Sequence, residues 1–119
     1  MKALVTAAAL VAIGFAAPVS AADAPAAFAP CKLCHKVEAG ANGLGPSLFG
    51  VAGSKAGTTA AAFKFSPAMT GSGKTWDDAT LAAYLANPKD TIPGNKMVFA
   101  GVKNPDDIAA IITYLKTLK

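Results

Sequence analysis

Three side chains within five positions can do chemistry: Cys31, Cys34 and His35, in the run Cys31-Lys32-Leu33-Cys34-His35. Two thiols three positions apart on a helical turn can reach the two vinyl groups along one edge of a porphyrin and fix it through thioether bonds. The histidine beside them can then give a ring nitrogen to the iron. C-x-x-C-H is the attachment sequence of c-type haem. The competing readings of the same residues are weaker. A structural zinc site needs four ligands, and the chain offers two cysteines and one histidine. A thioredoxin-like C-x-x-C needs a strand-helix-strand setting, which nothing in this sequence suggests. A disulfide closing so small a loop would restrain little of the unfolded chain.

A lone histidine excludes bis-histidine ligation, so a second protein ligand must be of another kind. The soft thioether of methionine suits low-spin haem iron. Beyond the initiator the chain has Met69 and Met97. Both fall in loops. Met97 lies in Pro93-Gly94-Asn95-Lys96-Met97-Val98-Phe99-Ala100-Gly101, between two helical segments, where a loop could close over the far face of a ring. Met69 lies in Ser66-Pro67-Ala68-Met69. Spacing leans toward Met97 and leaves Met69 open.

These residues sit in a chain of 119 residues, 53% hydrophobic and 15% charged, with a mean hydropathy of +0.41. Much of the apolar excess is at the start. Residues 3–17 carry no charge, follow Lys2, and precede Pro18-Val19-Ser20-Ala21-Ala22. That pattern reads as a secretory signal peptide over residues 1–22. The apolar stretch is shorter than the roughly 20 residues of a bilayer-spanning helix, so no stable membrane insertion is expected. Residues 23–119 are then one small exported domain, monomeric and periplasmic, too small for a multidomain enzyme. The whole chain has 11 glycines and 8 prolines, of which only Gly14 and Pro18 precede residue 23, so the domain needs an organiser beyond its own core. A large bound cofactor would serve. All 11 basic residues are lysine against 7 acids, a net charge of +4. No basic run or aromatic-basic alternation points to nucleic acid.

Two helices must frame the loops. Thr75 with Asp78 approximates a capping box, and Leu81, Tyr84 and Leu85 then share a face until Asn87-Pro88 ends the helix. Asn104 caps a second helix, with Pro105 at its first position and Asp106 and Asp107 at the positive end of its dipole. Ile108, Ile111, Ile112 and Leu115 make its apolar stripe. Residues 25–30 begin and end in proline and are a poor helix, though a turn can run on through residues 31–37. Residues 40–75 are rich in Gly, Pro, Ser and Thr, a stretch that makes sense if it wraps something other than protein. The class is all-α with long loops.

Taken together, CKLCH, Gly45-Pro46, FKFSPAM, Thr75-Trp76, Tyr84-Leu85, Asn87-Pro88, PGNKMVFAG and the closing ITYLK resemble the small class I cytochromes c, the mitochondrial and bacterial c2-like group, over roughly residues 27–118. The resemblance implies a haem-wrapping fold whose N- and C-terminal helices pack together, and one covalent haem c per chain. It implies His35 and Met97 as axial ligands, with Pro46 backing His35 through its carbonyl. By the same resemblance Trp76 reaches a buried propionate, Tyr84 lies near the methionine sulfur, Phe99 covers the haem edge, and Asn95 belongs to the pocket. Lys89, Lys96 and Lys103 match the family's lysine ring at that edge. The implied function is one-electron transfer, not bond chemistry. The partners would be a membrane cytochrome complex, oxidase, reaction centre or periplasmic dehydrogenase. The chain departs from the pattern at Ser54, where many relatives carry arginine, at Phe65 for tyrosine, at Asn95 for threonine, and at Pro30 for lysine.

Overall fold

The computed structural model describes residues 23–119. Residues 1–22, read above as a signal peptide, lie outside the described residues. Four α-helices follow two short 3-10 turns. The turns span Ala26–Phe28 and Cys31–Leu33, and the helices are α1 (Pro67–Thr70), α2 (Asp78–Ala86), α3 (Pro88–Thr91) and α4 (Pro105–Lys116). The only β pairing among the described residues is an isolated bridge between Lys55 and Thr75. The domain is all-α.

α4 forms where the sequence places it. Asn104 Oδ1 accepts the Asp106 N–H at 2.9 Å, Pro105 stands at the first helical position, and both aspartates lie in the first turn. Ile111, Ile112, Tyr114 and Leu115 are buried, and with Leu118 they form much of the core. Phe28 is fully buried against this face, its ring 4.8 Å from that of Tyr114 in an edge-on contact.

The expected N-terminal helix is in fact two separate turns, although its docking on α4 is present. Pro30 is the reason. It offers no N–H, and its ring would collide with the carbonyl of Ala26, so a helix cannot run from Ala26 through Leu33. The entry to α2 also differs from expectation. Its cap is Asp77, whose Oδ1 accepts the Thr80 N–H at 2.8 Å. The Trp76 N–H is held by the Ser54 carbonyl at 2.8 Å, and the Gly53 N–H by the Trp76 carbonyl at 2.7 Å. That anchor keeps residues 75–76 extended, so the helix starts two residues later than Thr75 would allow. α2 ends at Asn87, which then caps α3 through its own side chain. Lys116 Nζ and Asp78 Oδ2 meet at 2.6 Å and tie the start of α2 to the end of α4.

The bonds from Thr80 hold the Asp77 carboxyl below its ordinary pKa. A carboxylate held below its unfolded value stabilises the fold above that value, and the gain disappears as pH falls through the lowered one. Asp77→Ala should therefore lower the melting temperature by several degrees at neutral pH, with the gap closing in acid. Thr75→Ala, whose side chain caps nothing, should melt like the parent. Thermal unfolding of both variants at neutral and acidic pH measures this.

Candidate haem-binding site

Cys31, Lys32 and Leu33 form one 3-10 turn, which the Cys34 N–H closes onto the Cys31 carbonyl at 3.2 Å. The His35 N–H reaches the same carbonyl at 2.9 Å. The two thiols form no disulfide with each other. Cys31 packs against the core, and burial pushes its thiol pKa up. Cys34 is exposed. The expected turn is present, although the helical conformation stops at Leu33 and does not extend to Val37.

The loop 43–46 clamps this turn. The Gly45 N–H donates to the Cys34 carbonyl at 2.9 Å, and the Gly43 N–H to the Gly45 carbonyl at 3.0 Å. His35 Nδ1 lies 2.7 Å from the carbonyl oxygen of Pro46. A carbonyl only accepts, so Nδ1 carries the proton and Nε2 keeps a free lone pair, the arrangement that a metal-binding histidine uses. Gly45 makes room for it. A Cβ there would lie 2.6 Å from His35 Cε1 and 2.9 Å from Nδ1. The steric demand at Gly45 is not part of the C-x-x-C-H signal. The trace it leaves in the sequence is the run Gly43-Leu44-Gly45-Pro46, which begins eight residues after His35.

The second half of the site is built on α2 and the loop after α3. Trp76 and Tyr84 are buried with ring centroids 4.8 Å apart. Tyr84 Oη donates to Met97 Sδ at 3.5 Å. Burial raises the Tyr84 pKa to about 12, so the phenol remains a donor through the neutral range. A thioether sulfur has two lone pairs, and this bond uses one. Met97 also lines an open cleft of about 530 Å³ with Asn87, Lys89, Asn95, Lys96 and Phe99 among its walls. Lys103 is not one of its walls but reaches the wall residue Ala100, its ammonium on the carbonyls of Ala86 and Ala100, each at 3.3 Å.

The structure thus joins His35 to Pro46, Trp76 to Tyr84, Tyr84 to Met97, and Lys89 and Lys96 to the Met97 cleft. It gives Met69 a different setting. The Met69 N–H completes the cap of α1 on Ser66 Oγ at 3.1 Å, and its side chain packs against the core as that of Met97 does, but without a Tyr84 hydroxyl on its sulfur. Ser54, at the arginine position, bonds the Val51 carbonyl at 2.6 Å. Phe65, at the tyrosine position, packs edge-on against Phe63 at 5.1 Å.

The sequence profile of the cytochrome c family matches residues 21–119. The chain belongs to the cytochrome c family. It is 67% identical over 98 residues to cytochrome c2 iso-2 of Magnetospirillum molischianum, covering 82% of this chain and all of that protein. It is 56% identical over 98 residues to cytochrome c2 of Rhodoplanes tepidamans, covering 82% of this chain and 99% of that one. The fold matches cytochrome cH from Methylobacterium extorquens with a TM-score of 0.73 and 54% identity, over 76% of this chain and 91% of that one. The chain is a class I c-type cytochrome of the c2 type. It carries one covalently attached haem c and acts as an electron carrier, not an enzyme. The thiol pair outside any disulfide, the oriented imidazole and the half-engaged thioether are a donor set that suits this group.

Gly45→Ala should destabilise the haem-loaded protein by about 1–3 kcal/mol, because the added carbon forces the His35 ring aside. Thermal unfolding followed at the haem absorbance measures this. An unchanged midpoint would mean that the ring has room to spare.

Proposed function

We propose that the chain is a periplasmic electron carrier whose haem iron is held between His35 Nε2 and Met97 Sδ. The contact between Tyr84 and Met97 carries this reading. A buried phenol on the sulfur orients one methionine of the two, and leaves that sulfur a lone pair to give. Cys31 and Cys34 would anchor the ring through thioether bonds, and His35, with Nδ1 fixed by Pro46, would give Nε2 to the iron. When bound, the haem supplies the one-electron Fe(III)/Fe(II) couple. The chain's part would be to supply both protein ligands, His35 and Met97, which would deny oxygen and peroxide an open site, and to keep those side chains in place while charge changes. Trp76 packs behind Tyr84, and Phe99 shares the wall with Met97. Pro46 and Asn95 belong to the same supporting shell.

Residues 1–22 act as the export signal in this reading and residues 23–119 as the working domain. The family match beginning at residue 21 supports the division. Among the described residues no helix is long and apolar enough to cross a membrane. The partners are redox proteins with acidic docking faces. Lys89 and Lys96 flank the Met97 cleft and Lys103 reaches its wall residue Ala100, so they form the positive rim where such a face would meet the haem edge.

Two measurements test the reading. Ferric thioether-ligated haem has a weak far-red charge-transfer band. Met97→Ala should abolish that band and lower the potential, because a soft thioether favours Fe(II), whereas Met69→Leu should keep both. The opposite pattern would move the ligand to Met69. Docking is tested by the oxidation rate of the ferrous protein on oxidase-containing membranes. The rate should fall by about tenfold or less as salt shortens the Debye length from about 30 Å at 0.01 M to about 10 Å at 0.1 M. Lys96→Glu should slow it more than Lys119→Glu. A rate flat in salt, with the two variants alike, would assign these lysines to solubility alone.

A further inference from the structure

The segment that bears Met97 has little regular structure to hold it. No helix or strand covers residues 92–104, and Val98, next to Met97, is fully exposed. One side chain closes it. Asn95 Nδ2 donates to the carbonyls of Pro88 and Ile92, each at 2.8 Å, and Asn95 Oδ1 accepts the Met97 N–H at 2.8 Å. Its own N–H returns to the Ile92 carbonyl at 3.2 Å. Pro93 and Gly94, the latter at φ +87°, supply the turn that brings Asn95 to these partners, with proline at the second position and a left-handed glycine at the third.

The donor count is decisive. A carboxamide has two N–H donors, and both are spent on backbone carbonyls, so neither remains for a haem carboxylate. Threonine, the residue that many relatives place here, has one hydroxyl and could not hold two carbonyls and an N–H at once. We infer that Asn95 is a positioning residue: it clasps the Met97 backbone to the start and end of α3, and so holds the thioether at the sixth coordination position of the iron. The inference rests on Met97 being that ligand. The clasp acts on the backbone N–H of Met97 itself, one covalent link from the carbon that carries the side chain. Tyr84 then fixes the sulfur at the other end. The ligand is thereby held at both root and tip, in a loop with no regular structure of its own.

The test is competition at the sixth position of the ferric holoprotein, with imidazole as the probe and the haem absorbance as the readout. Asn95→Ala should bind imidazole about tenfold more tightly than the parent, and its far-red band should weaken. Asn95→Asp keeps the acceptor for Met97 but faces the Pro88 and Ile92 carbonyls with a carboxylate, so it should shift the same way. Asp77→Ala, which loosens the fold at the far end of α2, should lower the melting temperature and leave imidazole affinity unchanged. Parental affinity in both Asn95 variants would overturn the clasp, as would an equal rise in Asp77→Ala. A parent protein that binds imidazole as tightly as Met97→Ala would instead overturn Met97 as the ligand.

Discussion

The carbonyl of Pro46 decides which nitrogen of His35 carries the proton, and much of the molecule serves that one hydrogen bond. At 2.7 Å it fixes the tautomer and leaves the Nε2 lone pair for a metal. It can form only because Gly45 has no side chain to strike the ring, and because the Gly45 N–H is anchored on Cys34. The attachment turn and the loop 43–46 therefore form one unit, linked through both the backbone and the imidazole. α4 and Phe28 give that unit a rigid base to stand on.

The distal side solves a harder problem with fewer means. A methionine side chain is flexible, and here it emerges from a segment without secondary structure. Hydrogen bonds replace helical packing: the backbone N–H of Met97 is taken by Asn95, and its sulfur by Tyr84. Tyr84 in turn is set by the buried face of α2 and by Trp76, whose backbone is pinned to the loop 53–54. A carrier that must accept and release an electron benefits from ligands that do not move between the two states, and with Met97 as the proposed ligand each of these contacts would oppose such movement. In the proposed reading the lysines at the cleft stay on the outside of this frame, where they would affect encounter and leave the iron's ligands alone.

The sequence exposes the parts of this design that rest on local rules. Cys31, Cys34 and His35 are read from spacing, and the cap and apolar stripe of α4 from residue type and period. Where contacts between distant segments decide, local rules fall short. Thr75 is an acceptable cap, but the strand-like anchor of Trp76 on Ser54 hands the task to Asp77. Pro30 divides an expected helix, although its docking surface survives in Phe28. α1 and α3 are each a single turn, capped by Ser66 and Asn87, too short for periodicity to reveal. Asn95 is conspicuous only as a departure from a familiar pattern. Its meaning depends on two carbonyls of α3 and its flank that the turn at Pro93-Gly94 brings back to it.

Iron-edge X-ray absorption on the holoprotein in both oxidation states reaches the centre of this description most directly. A single thioether sulfur opposite a histidine nitrogen should be present in the ferric and the ferrous spectra alike, with little change in either bond length. Loss of the sulfur in one state, or its absence in both, would contradict a rigid frame built on His35 and Met97.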